Sequence, residues 1–152
     1  MKKLTALILA IMLVLSLGAA AFAADQSGET TITAAIESSY ILTIPMSQDI
    51  AFGAQNTELG STLKVTGNVA AGKKVTVTAV TEPLACPDQD TEIPFQLRAG
   101  GREFTGEDWS DAELRASEAK EVRLSVVIAE ADWNAAKAGE YSGTILFSAK
   151  LS

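Results

Sequence analysis

The chain has 152 residues, with 19 Asp plus Glu against 12 Lys plus Arg, no histidine, one cysteine and 47% hydrophobic residues. That length suits one domain, and the absence of histidine excludes Ser-His-Asp and Cys-His catalysis and histidine-bearing zinc sites, because no other side chain titrates near neutrality unaided. The net charge of −7 opposes a phosphate backbone, which needs a positive stripe to release its counterions, so no nucleic-acid partner is expected.

Lys2 and Lys3 form a charged start, residues 4–17 an apolar run, and Ala21-Phe22-Ala23 offers small residues at both recognition positions of a signal peptidase. The run is 14 residues long, shorter than the ~20 needed to span a bilayer. A cleaved signal peptide over residues 1–23 is therefore expected, with no membrane association after cleavage. Cys86 lies far from the junction, so no lipid anchor is expected. Losing Lys2 and Lys3 takes the net charge from −7 to −9 and leaves residues 24–152 as one secreted domain. A domain of that size can bury a core without cysteine staples, and one cysteine forms no internal disulfide. Pro87, Asp88 and Asp90 beside Cys86 offer no cation to activate it, so an inert cysteine is the reading adopted.

Residues 24–29 read as a polar tail, after which two-residue alternation begins. Ile32, Ala34 and Ile36 share one face of a predicted strand over residues 30–37, and Tyr40, Leu42 and Ile44 share one before Pro45. Leu63 and Val65 alternate with Lys64 and Thr66, and Val75, Val77 and Ala79 with Thr76 and Thr78. Ile93, Phe95 and Leu97 alternate as well, and the missing amide of Pro94 places that strand at a sheet margin. Gly100-Gly101 predicts a tight hairpin joining Leu97 to Phe104. Residues 107–119 predict a short helix or loop, with Ser110 capping through Glu113. Val122, Leu124, Val126 and Ile128 form the next alternating run. Residues 130–137 are helix-compatible and carry the chain between sheets. The last strand sets Tyr141, Ile145, Phe147, Ala149 and Leu151 opposite Thr144, Ser148 and Lys150. Short strands with regular turns predict an all-β antiparallel sandwich of about seven to nine strands with one or two helical turns.

Tyr40-Ile41-Leu42-Thr43-Ile44-Pro45, Ile50-Ala51-Phe52-Gly53, Leu63-Lys64-Val65-Thr66-Gly67 and Ala71-Gly72-Lys73-Lys74-Val75-Thr76-Val77 are followed at the end by Ala138-Gly139-Glu140-Tyr141-Ser142-Gly143-Thr144 leading into an alternating strand. This series resembles secreted bacterial surface β-sandwiches, and its ending resembles the last strand of pilin-type and WxL-like extracellular domains. The chain lacks the Trp-x-Leu signature of WxL wall attachment and the cysteine pair of many chaperone-assembled pilins. It also shows no sorting motif, so covalent wall anchoring is not expected. The resemblance implies an immunoglobulin-like extracellular module that presents surfaces or assembles, without catalysis. It also implies that Ile32, Ala34 and Ile36 could enter a neighbouring subunit's groove by strand exchange, although an ordinary first strand of the same sheet remains open.

Trp109 and Trp133 each follow an aspartate, an arrangement that can stack a sugar ring on the indole while the carboxylate binds a hydroxyl; coverage of the sandwich core is the competing reading of each. Asp88, Asp90 and Glu92 could offer oxygen ligands to Ca²⁺ but lack the mid-loop glycine and terminal glutamate of an EF-hand, so a solvated acidic loop is expected, as for Glu107, Asp108, Asp111 and Glu113. Paired carboxylates could hydrolyse a glycoside across ~5–10 Å, but nothing in the spacing pairs them, and no enzymatic activity and no cofactor are expected. The leading expectation is a secreted, non-catalytic structural or adhesive surface protein, a self-associating subunit whose partners are its own copies or other surface proteins. A small carbohydrate-binding module with glycan partners is the alternative.

Overall fold

The computed structural model describes residues 29–152; the expected signal peptide lies outside the described residues. The alternating runs form strands β1 (Ser39–Thr43), β2 (Asn56–Glu58), β3 (Leu63–Asn68), β4 (Lys74–Thr81), β5 (Leu84–Cys86), β6 (Thr91–Ile93), β7 (Gln96–Ala99), β8 (Arg102–Glu103), β9 (Glu107–Ser110), β10 (Glu121–Val122), β11 (Leu124–Val127) and β12 (Ile145–Leu151). Two short helices, α1 (Asp111–Leu114) and α2 (Glu130–Ala135), interrupt them. All the pairings are antiparallel, and the sheet orders are β1-β3-β10, β2-β11-β7-β8, β12-β4-β9 and β5-β6.

The fold is the expected all-β sandwich. β10 and β11 are one run broken at Arg123, so the two sheets they belong to adjoin and make one layer. β12-β4-β9 makes the facing layer, because Val75, Val77 and Trp109 from it pack in one buried cluster with Leu63, Val65, Leu97 and Leu124 from the other. A second cluster gathers Ile93, Val126, Ile128 and Trp133. Residues 36–152 form one compact unit. Among the described residues, no helix is long and apolar enough to cross a membrane.

Local chemistry accounts for the boundaries. Gly100 and Gly101 adopt φ of 55° and 83°, the left-handed pair that a tight hairpin demands, and they join β7 to β8 as expected. Ser110 and Glu113 complete a reciprocal capping box that starts α1. Gly67 lies opposite Tyr40, and a Cβ there would fall 2.3 Å from the Ser39 carbonyl, so only glycine lets β1 close on β3.

Three expectations are corrected. Residues 30–37 lie in no strand: β1 begins at Ser39, paired with Asn68 at the end of β3, after which the segment following β3 turns away at residues 70–73. The run through Ile93, Phe95 and Leu97 is two strands instead of one at a margin. Pro94 breaks it, leaving β6 paired with β5 alone while β7 lies between β11 and β8. These breaks raise the strand count above the nine expected, together with the two- and three-residue ribbons β2, β5 and β8 and with β9 over Glu107–Ser110, where a helix or loop was expected but the chain pairs with β4 before α1 begins.

Candidate functional site: an open strand edge and an adjoining aromatic cleft

β12 is the outermost strand of its sheet. Lys74 and Ser152 exchange both backbone hydrogen bonds, at 3.1 and 3.0 Å, and the Glu82 amide donates to the Thr144 carbonyl at 2.9 Å. Bonded and non-bonded pairs alternate along an antiparallel ladder, so positions 144, 146, 148, 150 and 152 turn their backbone groups to β4. Ile145, Phe147, Ala149 and Leu151 therefore turn theirs away from the sheet. The Tyr40 hydroxyl donates to the outward Ala149 carbonyl at 3.2 Å, as that parity requires.

The same four residues point their side chains between the layers, where each is only half-buried. Beside them runs a groove of about 280 Å³ lined by Ile44, Met46, Ile50, Phe95, Ile145 and Phe147. An edge whose outward backbone groups pair with no other strand among the described residues, next to an apolar groove, is the arrangement that accepts an added strand, with main-chain bonds supplying affinity and alternate side chains supplying specificity. Of the residues expected to exchange, Ile32 is 90% and Ile36 82% exposed, Ala34 is exposed too, and all three lie outside the strands.

The tryptophans divide. Trp109, on β9, is completely buried and its indole donates to the Lys120 carbonyl at 3.0 Å, so it offers no platform to a ligand. Trp133, on α2, is 8% exposed and donates to the Ala54 carbonyl at 3.0 Å, yet its ring borders a cleft of about 720 Å³. Phe52 stands at the mouth of that cleft, 82% exposed, with its ring edge-on to Trp133 at 5.5 Å and 71°. Tyr141 forms another wall; its hydroxyl donates to the Lys137 carbonyl at 3.1 Å and lies 2.9 Å from the Thr91 hydroxyl. Gln48 and Asp49 complete the rim. The groove and the cleft share Gln48, Ile50, Leu84 and Gly143, so they are adjoining parts of one surface.

The sequence marks Phe52 only within the segment that carries the resemblance and not as a site residue, because it lies in no alternating run. The signal that marks it is a large ring next to a turn glycine, Gly53 at φ 79°, between two strands.

The acidic runs are otherwise employed. Lys120 bridges Glu107 at 2.6 Å and Glu113 at 3.3 Å while sitting 5.5 Å over the Trp109 ring. Lys74 pairs with Asp108 at 2.6 Å. Hydrogen bonds from Lys74 and then Thr76 hold the Asp108 carboxyl below its ordinary range, and the Ser110 amide and hydroxyl do the same for Glu113. Burial works to lower the Lys120 pKa, but its hydrogen bonds to Glu107 and Glu113 leave it raised. Asp88, Asp90 and Glu92 are split among a 3-10 turn, its left-handed cap and β6. Among the described residues, no three acidic, cysteine or histidine side chains gather around one point that could hold a metal. Cys86 is buried, with its thiol free.

The chain matches no protein-family model and no curated protein.

Proposed function

We propose that this chain is an exported, non-catalytic structural or adhesive protein of a bacterial surface, an immunoglobulin-like module that self-associates by strand addition. Residues 30–37 of one copy lie along the β12 edge of another, with Ile32, Ala34 and Ile36 turned into its groove. The observation that carries this reading is complementarity within one sequence. An apolar alternating segment is left exposed outside any strand, while β12 presents outward backbone groups beside an apolar groove.

The dimensions agree. At ~3.3 Å per residue, the eight residues of the segment and the seven of β12 both extend roughly 25 Å. Burying two isoleucines that are now exposed contributes about 1.5–3 kcal/mol each, which offsets part of the ordering entropy of the segment.

Light scattering coupled to size exclusion, over a concentration series with and without reductant, tests the reading. Assemblies that survive reductant and disappear in Ile36→Asp, with the circular dichroism of a folded monomer retained, are the expected outcome. A strict monomer at every concentration overturns it. So do dimers that vanish with reductant, which would place the contact at Cys86, and polymers that persist in Ile36→Asp.

A further inference from the structure

Phe52 presents a phenyl ring to solvent, 82% exposed. A lone exposed apolar side chain needs no explanation, but this one is placed. Its edge-on contact with Trp133 fixes the ring from one side, and the hydrogen bond from the Trp133 indole to the Ala54 carbonyl fixes Trp133 in turn. Gly53 at φ 79° turns the chain immediately after it and keeps the ring at the mouth of the cleft.

The cleft, at about 720 Å³, lies within the range of small-ligand sites, roughly 300–1,000 Å³. Its polar groups differ in availability. The Tyr141 hydroxyl is engaged with Lys137 and Thr91, and the Gln48 amide donates to the Asp49 carbonyl. The Asp49 carboxylate and the Lys137 ammonium make no hydrogen bond or ion pair among the described residues, and both line the cleft. One free acceptor and one free donor group thus border an aromatic surface.

The charges select the ligand class. One carboxylate and one ammonium leave the cleft near neutral, and the chain as a whole carries −7, which repels polyanions. An ionic ligand of either sign would find one matching and one opposing group. A neutral, hydroxyl-rich molecule with one apolar face meets every element. The C–H face of a pyranose carries slight positive charge and stacks on the negative face of a phenyl ring, while its equatorial hydroxyls reach a carboxylate and an ammonium.

The geometry points to a binding site for one pyranose unit of a neutral glycan, in which Phe52 is the stacking platform and Asp49 and Lys137 take the hydroxyls. Trp133 positions the phenyl ring and borders the sugar. This site adjoins the groove for strand addition but does not depend on it, because neither Phe52 nor Asp49 lines that groove.

Titration of the full exported chain with neutral tetrasaccharides of glucose, mannose and N-acetylglucosamine, followed by calorimetry and by the Trp133 indole signal in NMR, tests the assignment. At least one of the three should saturate the site and move the Trp133 indole resonance while leaving that of Trp109 in place. Phe52→Ala should weaken that binding at least tenfold with an unchanged melting temperature, Phe52→Tyr should retain it, and Asp49→Asn should weaken it less than Phe52→Ala. The assignment fails if none of the three binds saturably, if Phe52→Ala binds as well as the unmodified chain, or if a sulfated tetrasaccharide binds more tightly than its neutral parent. Because the readout is taken at Trp133, it is separate from that of self-association, so either result stands without the other.

Discussion

Trp109 is held by three interactions of different kind. Its ring is completely buried against Val75, which it faces across the β4–β9 pair, its indole N–H reaches the Lys120 carbonyl, and the Lys120 ammonium lies over the ring. The buried N–H has its partner, so the indole enters the core without an unsatisfied donor. Phe52 is the opposite case, a large ring with most of its surface in water. The two residues are comparable in chemistry and contrasting in role. Trp109→Ala should cost about 3–5 kcal/mol, the loss of a core aromatic plus the cavity it leaves. Phe52→Ala should change stability by no more than about 0.5 kcal/mol, as expected of an exposed side chain. Urea unfolding of both variants checks the pair. A mild Trp109→Ala or a severe Phe52→Ala would exchange the roles assigned to them.

At the scale of elements, β12 has two unlike edges, and its amides should report them separately. The amides of Leu146, Ser148 and Lys150 face β4, whereas those of Phe147, Ala149 and Leu151 face outward. Hydrogen exchange resolved by residue should therefore alternate along β12 in dilute solution, slow at even positions and fast at odd ones. On assembly, only the odd positions should gain protection, by at least tenfold. Uniform protection along the strand at low concentration would contradict a free edge. This alternation was half legible in the sequence. The period of two from Ile145 to Leu151 identified the strand and its inward face, but backbone parity and edge position depend on which strand lies alongside, and the β12–β4 pairing joins residues more than sixty positions apart. Pro94 shows the same limit from the other side. Its missing amide was correctly read as incompatible with a central ladder, yet the chain resolved the conflict by ending one strand and starting another. Where the determinants were local, as at Gly100-Gly101 and in the Ser110–Glu113 capping box, the reading and the structure coincide. Of the cleft, only Trp133 is legible as a ligand-binding residue, because Phe52, Asp49 and Lys137 are brought together by segments that carry no periodicity.

For the molecule as a whole, acidic side chains outnumber basic ones. The chain has nineteen Asp and Glu against twelve Lys and Arg, and Lys74 and Lys120 both pair with carboxylates of one patch where β4, β9 and α1 meet. That patch contributes a pH dependence to folding. Asp108 and Glu113 have folded pKa values below their ordinary ones, so the stability they contribute is complete above the ordinary carboxylate range. It is lost as pH falls below about 4.5 and through the lower folded values. Lys120 has a raised pKa, so its contribution is complete below the ordinary lysine value and is lost as pH rises through the higher folded one. Thermal unfolding followed across roughly pH 3 to 12 should show a plateau from about pH 5 to 10 with a decline on each side. These groups are at least partly exposed to solvent, so 1 M salt should weaken both declines. Lys120→Met separates the two limbs. The alkaline decline attributed to Lys120 should vanish, whereas the acid decline should persist in large part, because the leading hydrogen bonds that depress Asp108 and Glu113 come from Lys74 and the Ser110 amide. Loss of the acid decline in Lys120→Met would mean that Lys120 alone organises the patch and that the capping box and Lys74 contribute little to it.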